Sequence, residues 1–157
     1  AIAPHLAARE AGIPVHLADL TAWYERAASG ADVAIVEGAG GWRVPLHPDG
    51  FLSDLPEALG LDVVLVVGLR LGCLNHARLT FEAIVTAGRC RFAGWLANEV
   101  DPAYDRREEN VATLEALLGG PPLGRLPHAG RAARPGAPVQ VELPGSPALR
   151  RLLLGQA

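Results

Sequence analysis

Apolar residues in this chain fall into short runs separated by longer stretches where they recur every three or four positions. The runs are residues 33–36 (VAIV), 62–67 (DVVLVV), 92–97 (FAGWLA) and 123–126 (LGRL). The first is too short for a helix, rich in β-branched residues and near-continuous rather than alternating. It reads as a strand buried on both faces of a parallel sheet, as do the others. Helical patterns lie between them. Residues 4–11 form a short helix, with Pro4 in its first turn and Gly12 at its end. In 17–28, Leu20, Trp23, Tyr24 and Ala27 share one apolar face; Asp19 reads as the N-cap and Ser29-Gly30 as the stop. The turn His47-Pro48-Asp49-Gly50 precedes a short helix over 51–59, capped by Ser53. Helix 75–87 turns Ala77, Phe81, Ile84 and Val85 inward, and helix 105–118 does so with Val111, Leu114 and Leu118. After Gly119-Gly120-Pro121-Pro122 and the fourth strand come a polar loop at 131–138, an extended stretch at 139–143 and a last helix opened by Ser146-Pro147.

Strands alternating with helices at this spacing predict an α/β fold with a parallel sheet, in one domain over 1–157. Right-handed crossovers bring the C-terminal ends of all strands to one edge. That edge would gather Glu37, the 68–75 loop, Asn98 and Pro127.

The stretch 31–46, ADVAIVEGAGGWRVPL, carries the most chemistry. An acid and glycines follow a buried strand, where such sheets bind ligands. Glu37 suits a hard cation such as Mg²⁺, and the glycines let backbone approach a ligand. A polar strand end followed by a tight turn explains the same letters equally well. Asn98 offers a donor and acceptors that fit an adenine edge, or it is simply an Asn in the turn before Asp101-Pro102. Residues 71–75 (LGCLN) lead into a helix N-terminus, whose free N–H groups attract a carboxylate or phosphate; Asn75 as N-cap is compatible with that role. Cys73 reads as a small packed residue and His76 as a helix-surface one. Trp42 and Trp95 read as structural, with Trp42 close enough to the glycine loop to cover a ligand.

Composition narrows the classes. The chain has 157 residues, half of them apolar, and a net charge of −3. No basic patch suggests nucleic acid. No apolar run reaches a membrane span and no leader opens the chain. Cys73 and Cys90 lack metal-ligand or redox spacing, as expected of thiols in a reducing cytoplasm, and none of the five histidines has metal-ligand spacing. Every basic residue is Arg. The chain starts at Ala1, inside a helical pattern, and reads as one whose front is absent.

VEGAGGWRVPL (36–46), VVLVVGLRLGCLNHARLTFEAI (63–84) and AGWLANEVDP (93–102) resemble the dethiobiotin synthetase family, with APHLAA (3–8) and PLGRLP (122–127) agreeing in order and spacing. The resemblance covers nearly the whole chain. It implies a P-loop NTPase-like parallel sheet flanked by helices, without the N-terminal P-loop strand and helix, and a cytoplasmic homodimeric cyclo-ligase. Such an enzyme joins 7,8-diaminopelargonate and CO₂ (or bicarbonate) to dethiobiotin with MgATP, in biotin biosynthesis, through a carbamate and a carbamic–phosphoric anhydride. By the same resemblance Glu37 is the Mg²⁺-associated acid, and Gly38, Ala39 and Gly40 lie against phosphates and substrate. Gly72, Cys73, Leu74 and Asn75 receive the substrate carboxylate across the dimer interface. Asn98 reads adenine with Glu99 beside it, and Pro127, His128 and Ala129 border the base. Three departures stand out. A nucleotide-contacting acid is replaced by Arg134, and a tyrosine near the substrate by Asn110. The family's phosphate-clamping lysines have no counterpart, so no catalytic residue is assigned, the chain alone is expected to be inactive, and a sheet edge is expected to lie exposed. Two other readings are a related P-loop enzyme of the amidotransferase or cobyrinate-synthase type, and an inactive truncated dimerisation module.

Overall fold

The computed structural model describes residues 2–47 and 50–128, and beyond them positions 147 and 152 alone. The loop expected at 131–138 and the extended stretch at 139–143 lie outside the described residues. Pro147 and Leu152 are helical, and the other positions of the expected last helix lie outside the described residues. The chain divides into two compact units, Ala1–Asp62 and Val63–Ala157.

The first unit holds helices α1 (Pro4–Ala11) and α2 (Leu17–Ala28), strands β1 (Pro45–His47) and β2 (Gly50–Phe51), and helix α3 (Asp54–Leu59). Gly12 closes α1 in the left-handed conformation, as its position after the apolar pattern predicts. The N-cap of α2 is His16, with Asp19 inside the first turn. An acid there serves the helix dipole rather than the cap. The face predicted for α2 is not a core: the helix has no buried residue, and Trp23 is 61% exposed. β1 and β2 pair antiparallel, Pro45 opposite Phe51 and His47 opposite Gly50; Pro48 and Asp49 of the expected turn lie outside the described residues.

The strand expected at 33–36 does not form. Residues 31–40 are all exposed and extended-run Ile35 is 81% so. A β-branched run becomes a strand only with a ladder partner, and no described segment pairs with it.

The second unit is the predicted alternation: β3 (Val63–Gly68), α4 (Cys73–Ala87), β4 (Phe92–Asn98), α5 (Arg107–Leu118) and β5 (Gly124–Leu126). The strands are parallel in the order β3-β4-β5. Leu65 opposes Trp95 and Val67 opposes Ala97, so these side chains share a face. Against it pack Cys73 and Ala77 of α4 and Val111, Leu114 and Leu118 of α5, all buried. Consecutive right-handed crossovers in one direction set both helices on that face. Val85 departs from expectation. It is 46% exposed, whereas Ile84 beside it is 1% exposed; the two positions are about 100° apart around the helix, and the inward stripe of α4 centres on Ile84 and leaves Val85 at its edge. β3 has a described neighbour on one side only, and its Val66 is 53% exposed. No described helix is long and apolar enough to cross a membrane.

Gly94 shows why β4 carries a glycine. Its φ is +138°, and a Cβ there would lie 2.8 Å from Leu123 Cγ. The backbone of β4 and the approach to β5 need that space, which the Leu123 N–H to Trp95 carbonyl bond (2.7 Å) also spans. Trp95 is buried, and its indole N–H donates to the Gly120 carbonyl at 2.9 Å.

Leu114→Ala should destabilise the chain by about 2–5 kcal/mol, the cost of a core cavity. Leu79→Ala, at an exposed position, should change it by less than about 0.5 kcal/mol. Urea unfolding of the two variants checks the assignment of the inward face.

Candidate functional site

In the first unit the chain leaves residues 33–37 for a loop fitted closely to its own support. A Cβ on Gly38 would overlap the Leu52 side chain, and one on Gly40, at φ +93°, would lie 2.6 Å from Val44 Cγ2. Backbone bonds tie the loop down: Val44 N–H to the Gly41 carbonyl (3.1 Å), Leu52 N–H to the Val44 carbonyl (2.8 Å) and Ser53 N–H to the Trp42 carbonyl (3.1 Å). Arg43 donates to Ser53 Oγ at 3.1 Å and lies over the Phe51 ring. Ser53 is fully buried and is the N-cap of α3 by position, yet its side chain makes no capping bond. The hydroxyl serves Arg43 instead. Glu37, Gly38, Ala39 and Gly40 are all exposed at the start of this loop. Glu37 offers one carboxylate, and no group of three or more His, Cys, Asp or Glu gathers among the described residues. That donor set does not make an all-protein cage. It fits Mg²⁺ held by one carboxylate, water and nucleotide phosphate, the usual manner for that ion.

In the second unit the strand ends converge as expected. β4 has neighbours on both sides to its last residue, Gly68, Asn98 and Leu126 standing in register. The Asn98 carbonyl accepts from Leu69 N–H at 2.7 Å, and Glu99 N–H donates to the Leu126 carbonyl at 2.9 Å. Among the described residues the Asn98 side-chain amide takes no hydrogen bond. Pro127 and His128 follow β5, both exposed. Ala129 and Arg134 lie outside the described residues.

Helix α4 starts two residues earlier than its apolar pattern suggests. Gly72, at φ 92°, is the N-cap and Asn75 the third helical residue. Apolar spacing could not locate this start, because Cys73 at the first position is buried by α4 packing, not by a cap signal. Cys73 N–H donates to the Arg70 carbonyl. The N–H groups of Leu74 and Asn75 have no partner among the described residues, as the first turn leaves them. Gly72 and Asn75 are exposed, Leu74 half-buried and Cys73 buried.

The connection from β4 to α5 holds the turn expected around Asp101-Pro102, and α5 begins at Arg107 rather than at 105. Asp101 closes a turn, its carboxylate accepting from Ala103 N–H (2.9 Å) and its carbonyl from Tyr104 N–H (3.2 Å). Tyr104 Oη lies 3.5 Å from Cys73 Sγ. Burial pushes the Tyr104 hydroxyl up to about 12, and its hydrogen bond to Cys73 and the charge of that thiol act in the same direction. Arg107 opens α5 and pairs with Glu99 at 3.1 Å. Asn110 turns its amide back to the Arg106 carbonyl at 2.7 Å, so that side chain is occupied within its own helix. Tyr104 and Arg107 are residues the sequence did not single out. Nothing in their spacing announces partners 31 positions upstream and across a loop.

The second unit presents the C-terminal edge of a parallel α/β sheet, the place where sheets of the nucleotide-binding class hold their ligands. An AAA domain family (AAA_26) matches residues 1–135, and the chain belongs to that P-loop NTPase-like family. It is 60% identical over 128 residues to the ATP-dependent dethiobiotin synthetase BioD of Pseudomonas paraeruginosa (strain DSM 24068 / PA7), covering 81% of this chain and 56% of the relative. It is 51% identical over 128 residues to the protein of that name from Xylella fastidiosa (strain 9a5c), covering 82% and 56%. For that of Aromatoleum aromaticum (strain DSM 19018 / LMG 30748 / EbN1) the identity is 46% over 144 residues, covering 92% and 64%. The chain thus spans between 56% and 64% of the length of these relatives.

The Tyr104 proton predicts an alkaline limit. A phenol whose folded pKa exceeds its unfolded value, about 10, favours the native state while protonated. Its contribution is whole below pH 10 and is lost as pH rises through about 12. Ultraviolet titration should place one tyrosine near pH 12, and Tyr104→Phe should flatten the loss of stability across that window.

Proposed function

We propose that the chain is the C-terminal part of an ATP-dependent dethiobiotin synthetase. It would use Mg²⁺ and act in the cytoplasm as a homodimer. The observation that carries this reading is the 60% identity over 128 residues to a protein of that name.

In this reading the substrates are 7,8-diaminopelargonate, CO₂ and ATP. One substrate amine adds to CO₂ as a carbamate and loses a proton. A carbamate oxygen attacks the γ-phosphorus and ADP departs, leaving a carbamic–phosphoric anhydride. The second amine attacks the carbonyl carbon and loses a proton, phosphate leaves with the C–O electron pair, and the ureido ring closes. Positioning and charge neutralisation carry such a sequence. Bound Mg²⁺ would neutralise phosphate charge, with Glu37 as its protein ligand. The backbone of Gly38, Ala39 and Gly40 lies exposed for phosphate and substrate. The open N–H groups of Leu74 and Asn75, with Gly72 and Cys73 shaping the turn, receive the substrate carboxylate. Asn98 presents both donor and acceptor to an adenine edge, with Glu99, Pro127, His128 and Ala129 around the base. Leu71, Leu79 and Val85, in or beside α4, expose apolar surface that a second protomer would cover. The phosphate-clamping lysine must come from outside these 157 residues, since all 14 basic residues are Arg.

Three measurements test the proposal. Incubating the chain with diaminopelargonate, bicarbonate and MgATP should give no dethiobiotin by mass spectrometry, and adding the N-terminal segment of a relative should restore it. Failure to restore product sinks the assignment. In that restored enzyme Glu37→Gln should lower Mg²⁺-dependent turnover by about 100-fold with the melting temperature unchanged; equal activity would remove Glu37 from the metal site. Asn75→Asp should raise the KM for diaminopelargonate by about tenfold, since a negative charge then faces the carboxylate, while stabilising the helix by about 0.3–1 kcal/mol through the dipole. An unchanged KM rules the α4 start out as the carboxylate site.

A further inference from the structure

We propose that Arg107 is a positioning residue for the base edge of the nucleotide site: its ion pair with Glu99 fixes the chain at the end of β4 so that Asn98 holds its amide toward the base. The inference rests on the reading of Asn98 given above and goes beyond it.

The geometry is specific. Asn98 is the last residue of the middle strand; its carbonyl accepts from Leu69 N–H on one side, and on the other the next residue, Glu99, donates its N–H to the Leu126 carbonyl. After Glu99 the chain leaves the sheet, and Val100 is exposed. Nothing in the ladder fixes the direction of the chain beyond that point. Arg107 does. It is the first residue of α5, and its side chain reaches back across the loop. Nη1 meets Glu99 Oε2 at 3.1 Å. Nη2 makes long contacts with the carbonyls of Asp101 (3.5 Å) and Pro102 (3.4 Å). One guanidinium therefore touches the start and the middle of the loop.

The setting makes the pair count. The Arg107 and Glu99 side chains are 27% and 19% exposed, against 75% and 62% for the neighbouring Arg106–Glu109 pair. Water screens the first pair far less than the second. Arg106 is the only described residue other than glycine with a positive φ, +52°, and it sits immediately before Arg107. That unfavoured turn directs the first residue of α5 toward the loop. The Arg107 Nε is buried without a hydrogen-bond partner, so the side chain is placed by its far end, at Glu99.

Paired, the Glu99 carboxylate is neutralised and oriented. Asn98 is then left as the mixed donor–acceptor group at the strand end, the pattern an adenine edge requires. Unpaired, an acceptor-only charge would stand free beside it.

The test is a double-mutant cycle on the full chain, with ATP as the probe. Binding is followed by the amide resonances of Asn98 and Glu99, and folding by circular dichroism. Asn98→Ala should weaken ATP binding about fivefold, the loss of one good hydrogen bond. Arg107→Gln should weaken it by about the same factor, and Arg107→Lys should recover most of the loss. The double variant should be no weaker than either single one. A residue that merely stabilised the fold would give additive losses instead. Additive losses, or ATP binding untouched by Arg107→Gln while Asn98→Ala weakens it, overturn the inference and leave the base-edge reading standing. If Asn98→Ala has no effect, or the unaltered chain shows no shift at Asn98, the base-edge reading falls and the inference falls with it.

Discussion

The fixed point of the second unit is strand β4, the one described strand with a hydrogen-bonded neighbour on each side. Everything proposed for that unit depends on it. Its inward side chains, Trp95 and Ala97, are the floor on which α4 and α5 rest. Trp95 is also anchored by its indole N–H to the Gly120 carbonyl, so the largest core side chain leaves no buried donor unmet. Gly94 supplies the only kind of backbone that permits φ +138° beside Leu123. Because register is set this tightly, the residue that ends the strand is not free to slide, and a slip of one position would bring Glu99 to the place of Asn98. Chemistry at a strand end requires that kind of certainty.

The first unit obeys a different constraint. Its apolar run at 33–36 has the composition of a strand and none of the hydrogen bonds of one among the described residues. Its side chains lie open, Ile35 most of all. The loop that follows is nonetheless well supported. Leu52 and Val44 fill the space that glycine leaves, and Arg43 fastens the loop to a buried hydroxyl. The support for Glu37 therefore comes from its C-terminal side, through local contacts with the hairpin and the start of α3.

What could be read from the sequence follows the same division. The β3-α4-β4-α5-β5 alternation was legible because burial on both faces of a parallel sheet writes itself as unbroken apolar runs, and helix faces write themselves as 3.6-residue periods. Leu114 and Ile84 fell where the period put them. The run at 33–36 departs from its pattern for a physical reason: apolar composition records what a segment would do given a partner, and a ladder needs two segments. The α2 face with Trp23 obeys the same limit, since an amphipathic face states only that something could cover it. The α4 start was shifted because a left-handed Gly72 cap carries no side-chain signal. Topology alone predicts Asn98, the α4 turn and Pro127 on one edge; Glu37, expected there as well, follows a run that forms no strand among the described residues and belongs to the other unit. The clasp of Glu99 by Arg107 did not, because a contact across a loop depends on the loop's own turn, set here by Asp101 and by the positive φ of Arg106.

That clasp also shows why an ion pair, rather than an apolar contact, stands at this point. A half-buried pair gains little net stability, since removing two charges from water offsets most of their attraction. The left-handed Arg106 adds a cost of about 1–2 kcal/mol. A stability argument alone would favour a leucine. A leucine, however, would accept many orientations of the loop. Charge and planar geometry narrow them: a guanidinium satisfied by one carboxylate and directed at two carbonyls has few places to be. The arrangement therefore exchanges stability for direction. Direction is worth having only where a neighbouring group must face one way, and the neighbour is Asn98, whose amide takes no hydrogen bond among the described residues. An amide held in place and left unsatisfied is poised for a ligand that can supply both halves of its hydrogen bonding.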